Sequence, residues 1–203
     1  MTRLGLLCLC IANLTVAKTS WAVEPEDTLK TVTARDIQLE VPKAWKSGRP
    51  ASSMRVAQFE IQDPETSKDG GDKAELVVYY FGGPTGGIQA NIQRWISQFA
   101  EPNRKVRTFS GKCRDGSYVL ADISGTWRKP IGPPMMRKTV DAPGSRVLGV
   151  ILIHKKENEE EKYYFLKLSG PDDLVKRQGD ALRRAFGADP ATERPLALEG
   201  DAG

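Results

Sequence analysis

Histidine is nearly absent from this chain: His154 is the only one in 203 residues. Cysteine occurs three times, at Cys8, Cys10 and Cys113. So small a set cannot build a zinc centre without several carboxylates, and no helix carries His and a carboxylate at i, i+4 spacing. Serine-histidine and cysteine-histidine catalysis would have one base between them, and there is no G-x-S-x-G elbow. Cys113 could meet His154 only through tertiary folding, so the expectation is a structural thiol and a strand-end imidazole. Long apolar runs are missing beyond the N-terminus, where no stretch approaches the roughly 20 residues of a membrane-spanning helix. No N-x-S/T sequon follows residue 22.

What is present begins with a leader. Arg3 precedes an apolar stretch from Leu4 to Val16, and Ser20 and Ala22 supply a small-x-small cleavage site. Residues 1–22 therefore read as a secretory signal cut near Ala22, which predicts a soluble, exported (periplasmic or secreted) mature protein. Removing Arg3 and Lys18 leaves 28 basic against 26 acidic residues. A net charge of about +2, dispersed along the chain, argues against nucleic acid. Cys8 and Cys10 leave with the leader, so Cys113 has no disulfide partner. Residues 32–187 are expected to form one domain held by its core. Residues 188–203 read as a disordered tail.

Alternation predicts strands at Ile37–Val41 and, with a bulge or change of face near Val56–Phe59, over Met54–Gln62. "AELVVYYF", "KVRTFSGK", "GSYVLADISGTWRK", "VLGVILIHKK" and "KYYFLKLSG" are further strands, and the "CRDG" stretch is a hairpin turn. Ile88, Ile92, Trp95, Ile96 and Phe99 form one apolar stripe, which predicts a helix of about 13 residues ended by Pro102. Leu174, Val175, Leu182, Ala185 and Phe186 predict a second helix, opened by Pro171 and Asp172 and ended by Gly187. Four prolines and two glycines predict an irregular loop over 130–146. The leading 23–31 stretch reads as a loose lead-in. The order of elements lacks the alternation of a doubly wound parallel sheet. It fits an α+β fold, a mostly antiparallel sheet with two main helices packed on it.

Four glycines between Tyr80 and Ile88 invite a nucleotide-loop reading. Gly82 and Gly87 have Walker spacing, but Ile88 and Gln89 stand where the lysine and the hydroxyl belong, and Pro84 breaks the dinucleotide pattern. A strand-to-helix turn is the simpler reading. A weak anion site stays possible there, so Gly83, Thr85, Gly86 and Gly87, with Arg94 on the helix, are the candidate ligand-binding residues. No catalytic residue, metal site or cofactor is implied. Met135 and Met136 read as packing residues in preference to copper(I) ligands. Glu159, Glu160 and Glu161 read as a solvated hairpin tip, and Asp172 and Asp173 as a helix cap. Lys176, Arg177, Arg183 and Arg184 make a basic helix face, through which a peripheral envelope contact is conceivable.

"IQLEVPKAW", with Pro42 and Trp45 closing an early strand, then a long apolar strand, a hairpin, and "YYFLKLSGP" with Gly170-Pro171 before the last helix, resemble the PsbP-like domains. The resemblance spans roughly residues 32–187. It implies an α/β/α sandwich and a role in binding or assembly, and it carries over no catalytic residue. Two functions follow as expectations. One is an exported non-enzymatic domain that binds a protein or small molecule. The alternative is a hydrolase or transferase using dispersed carboxylates and an anion site at the glycine loop.

Overall fold

The computed structural model describes residues 28–50, 52–63, 71–82, 86–132, 136, 138–156 and 158–198. The expected leader, Gly83, Thr85, Met135 and residues 199–203 lie outside this set. β1 (Leu29–Ala34) and β2 (Ile37–Pro42) form a two-stranded hairpin, turning at Arg35, whose φ is 58°. The strand thus begins inside the stretch read as a loose lead-in. There follow β3 (Lys46–Ser47), β4 (Arg55–Gln62), β5 (Lys73–Tyr80), α1 (Ile88–Ile96), β6 (Lys105–Cys113), β7 (Gly116–Pro130) and β8 (Thr139–His154). The chain continues as β9 (Lys162–Pro171), α2 (Asp172–Arg177), α3 (Gly179–Ala185), a 3-10 turn at Pro190–Thr192 and β10 (Arg194–Pro195).

The larger sheet has eight strands in the order β10-β6-β7-β8-β9-β5-β4-β3, every neighbouring pair antiparallel. The fold is α+β and mostly antiparallel, as the order of elements predicts. β8 and β9 are central; β8 is apolar on both faces over 147–152, the pattern of a strand covered twice, while β9 turns Lys167 and Ser169 to the same face as Phe165. On one face Phe59, Leu76, Leu120, Val150, Leu166 and Leu168 pack beneath the β1–β2 hairpin, Trp45 and α2–α3. On the other, Val119, Ala121, Ile123, Val147, Ile151 and Phe165 pack beneath Ile92, Trp95, Ile96 and Phe99. A fully buried aliphatic or aromatic side chain contributes roughly 1.5–3 kcal/mol, so these two clusters dominate stability.

Four further expectations are corrected. The stretch 130–146 is mostly β-ribbon: β7 runs to Pro130 and β8 starts at Thr139. Gly125 pairs with Ser145 and Trp127 with Ala142, so Pro143 and Gly144 oppose the single residue Thr126. This is a bulge, where a proline without an N–H and a glycine at φ 65° cause no loss. The first helix stops at Ile96, well before Pro102. Ser97 and Gln98 turn the chain so that Phe99 bridges to Trp127. The second helix breaks at Gln178, whose side-chain oxygen accepts from Trp45 Nε1 at 3.0 Å. Over 188–198 the expected disordered tail is ordered. Arg194 and Pro195 pair with Ser110 and Phe109, Leu196 N donates to Thr108 O at 2.9 Å, and Leu198 is buried.

Candidate functional site

The antiparallel register sets residues of the α1-bearing face side by side. One row runs Gln58, Val77, Lys167, Gly149, Ala121 across β4, β5, β9, β8 and β7. The next runs Glu60, Glu75, Ser169, Val147, Ile123. The β7–β8 half of each row is apolar, and there α1 sits. Gly149 is what lets it come close: a Cβ at that position would lie 2.4 Å from Trp95 Cε3. The β4–β5 half carries Gln58, Glu60 and Glu75 around the buried Val77.

Beside the helix this leaves a cavity of about 520 Å³, walled by Arg55, Gln58, Glu75, Val77, Tyr79 and Lys167 from the sheet and by Trp127 and Lys129 from the ribbon. A second hollow of about 630 Å³ shares Lys73, Trp127, Lys129 and Gly170 with it and extends under the Pro143–Gly144 bulge. The two make one groove between the sheet and the base of the ribbon.

The two acids that share the first hollow with Lys167 are matched. Glu75 Oε1 accepts from Gln58 Nε2 at 2.7 Å and lies 3.8 Å from Arg55 Nη1, while Glu60 lies 3.2 Å from Lys73 Nζ. Arg55 also lies over the Tyr79 ring at 5.6 Å, and Tyr79 stacks on Phe81 at 5.9 Å. Lys167 differs. Its Nζ donates to Gln98 Oε1 at 2.8 Å and sits 4.8 Å over the Trp127 ring. Trp127 Nε1 donates to the same Gln98 oxygen at 3.3 Å. Burial, and then the nearby charge of Arg94, pull the Lys167 ammonium down to a pKa of about 8.

The candidates read from the sequence lie elsewhere on α1. Gly86 and Gly87 are exposed, with φ of 75° and 73°, as a strand-to-helix turn requires. Asn91 Nδ2 donates to Gly87 O at 2.7 Å and Arg94 Nη2 donates to Asn91 Oδ1 at 2.7 Å. Arg94 therefore braces the helix start while lending its charge to Lys167. None of the three lines the groove. Cys113 lies opposite Gly116, which lies opposite His154. The His154 ring is buried edge-to-face on Tyr164 and makes no hydrogen bond among the described residues, and burial pushes the Cys113 thiol up. Among the described residues no group of three or more His, Cys, Asp or Glu could hold a metal ion.

Sequence reading missed Lys167, Trp127, Tyr79 and Arg55. Lys167 alternates with Leu166 and Leu168, which marks it only as facing away from them. That its row places it beside a glycine and a helix edge depends on pairing between β5, β8 and β9. The chain matches no protein-family model and no curated protein.

Proposed function

We propose that this chain is an exported, non-enzymatic binding domain of PsbP-like architecture, and that its ligand enters the groove on the α1-bearing sheet face. The observation that carries this is the groove itself. The sheet is helix-covered on its β7–β8 half, while an aromatic and polar wall faces the space beside it. Ligands bind in concave sites where polar groups converge beside apolar surface, and here Arg55, Gln58, Glu75 and Lys167 stand beside Val77, Tyr79 and Trp127. Glu60 and Glu75, held by Lys73 and by Gln58 with Arg55, suit orienting a ligand better than moving protons. Among the described residues no helix is long and apolar enough to cross a membrane.

Fragment screening by amide NMR tests this reading. Hits should shift Val77, Tyr79, Ser169 and the Trp127 indole, with no product formed. Hits clustering on Gly86–Gly87 or on the basic face of α2–α3, or turnover of a fragment, would refute it.

A further inference from the structure

We infer that the groove takes an anionic ligand, its carboxylate or phosphate group held at Lys167 and its apolar part laid against Trp127 and Tyr79. This rests on the reading of the groove as a binding site.

The first ground is charge. The groove carries Arg55, Lys73, Lys129 and Lys167 against Glu60, Glu75 and Asp72, the last in the hollow under the bulge. The two acids on the Lys167 side are already held, Glu75 beside Arg55 and Glu60 by Lys73. Lys167 has a neutral amide oxygen and an indole face as partners, and no described carboxylate pairs with it. A partly buried cation without a counter-ion is unfavourable, and a bound anion would relieve it. Lys129 stands exposed at the rim as a second cation.

The second ground is position. Lys167 lies where the polar half of the sheet meets the edge of α1, so its ammonium is fixed by Gln98 and Trp127 in place of swinging in solvent. A fixed, desolvated donor makes stronger hydrogen bonds to an anion than a surface lysine does. The nearest wall beyond it, Val77 and Tyr79 from β5 and Trp127 from β7, is apolar. The ligand class that fits is an organic acid or organic phosphate with a hydrophobic portion.

The test is titration of the full chain with benzoate, phenyl phosphate and uncharged benzyl alcohol, read at the Trp127 indole and the Lys167 amide by NMR. At least one of the two anions should bind about tenfold or more tighter than benzyl alcohol. The preferred anion tells carboxylate from phosphate. Lys167→Met should lose that preference and Lys167→Arg should keep most of it. The melting temperature of Lys167→Met should equal or exceed that of the original chain, because a desolvated charge is removed. If benzyl alcohol binds in the groove as tightly as both anions, the groove is a binding site but the charge reading falls. If no probe shifts these signals, both readings fall. Unchanged anion binding by a folded Lys167→Met chain also overturns the inference.

Discussion

Lys167 and Gly149 are neighbours across β9 and β8, and the side chain present at one and missing at the other decides what sits above each. Over Gly149 lies the Trp95 ring, itself buried. Gly149→Ala should cost about 1–3 kcal/mol by overpacking, and Trp95→Ala about 3–5 kcal/mol by cavity formation. The two losses should not add in the double variant, since the new methyl would fill part of the space the indole vacates. Urea unfolding of the three variants measures this. Lys167 gives a pH signature. Its folded pKa of about 8 lies below the ordinary 10.5, so the unfolded chain binds that proton more tightly. The resulting destabilisation is fully present below pH 8 and shrinks as pH climbs from 8 toward 10. Arg94 and Gln98 face the ammonium from α1 and its end, Trp127 from β7, and Tyr79 and Glu75 line the β5 side. The Tyr79 phenol is pushed above its ordinary 10 by burial and stays protonated across this window. The stability gap between Lys167→Met and the original chain should therefore narrow from pH 7 to pH 10; a constant gap would contradict the assignment.

At the scale of elements, a chain of ion pairs anchors the start of α2 on the sheet. Arg146 Nη1 donates to Asp122 Oδ1 at 2.6 Å, and its Nε donates to Asp172 Oδ1 at 2.7 Å. Asp122 is buried and is also met by Arg107, which is 66% exposed. Arg146→Met should cost about 3–5 kcal/mol, because it leaves a buried carboxylate poorly compensated, and Arg107→Met about 1 kcal/mol or less. Chemical denaturation of both variants distinguishes them. Asp172, read from sequence as a cap, instead uses its carboxylate on Arg146 and makes no side-chain capping bond. The strands were legible because period-2 alternation is local: Ala57, Phe59 and Ile61 are inward in β4, as Leu39 and Val41 are in β2. The ribbon was not. Pro143 and Gly144 look like loop residues until their partner Thr126 is known, and that partner is set by long-range pairing. The glycine turn was legible as a turn, since Gly82, Gly86 and Gly87 all have positive φ.

The whole molecule is closed by its C-terminal segment. Glu193, just before β10, accepts from Tyr118 Oη at 2.7 Å and from Arg183 at 2.8 and 2.9 Å, joining the C-terminal segment to β7 and α3. Those hydrogen bonds hold its carboxyl below the ordinary value despite burial. Its contribution is therefore present above the unfolded value and lost as pH falls through the folded one. A chain ending at residue 189 should melt below the full chain, with the Tyr118 hydroxyl losing Glu193, Arg183 left with Gly179 O, and Leu198 gone; an unchanged melting temperature would contradict the packing described. The same tertiary closure explains why the groove could not be read from the sequence. Its walls come from β4, β5, β7 and β9, and only the assembled sheet brings Arg55, Tyr79, Trp127 and Lys167 to one place. The most direct measurement is NMR titration of the full chain and of Lys167→Met with phenyl phosphate, benzoate and benzyl alcohol. The account predicts shifts at Trp127 and Lys167, tighter binding of an anion, and loss of that preference in Lys167→Met. Shifts confined to Gly86–Gly87, or binding indifferent to both ligand charge and Lys167, would contradict it.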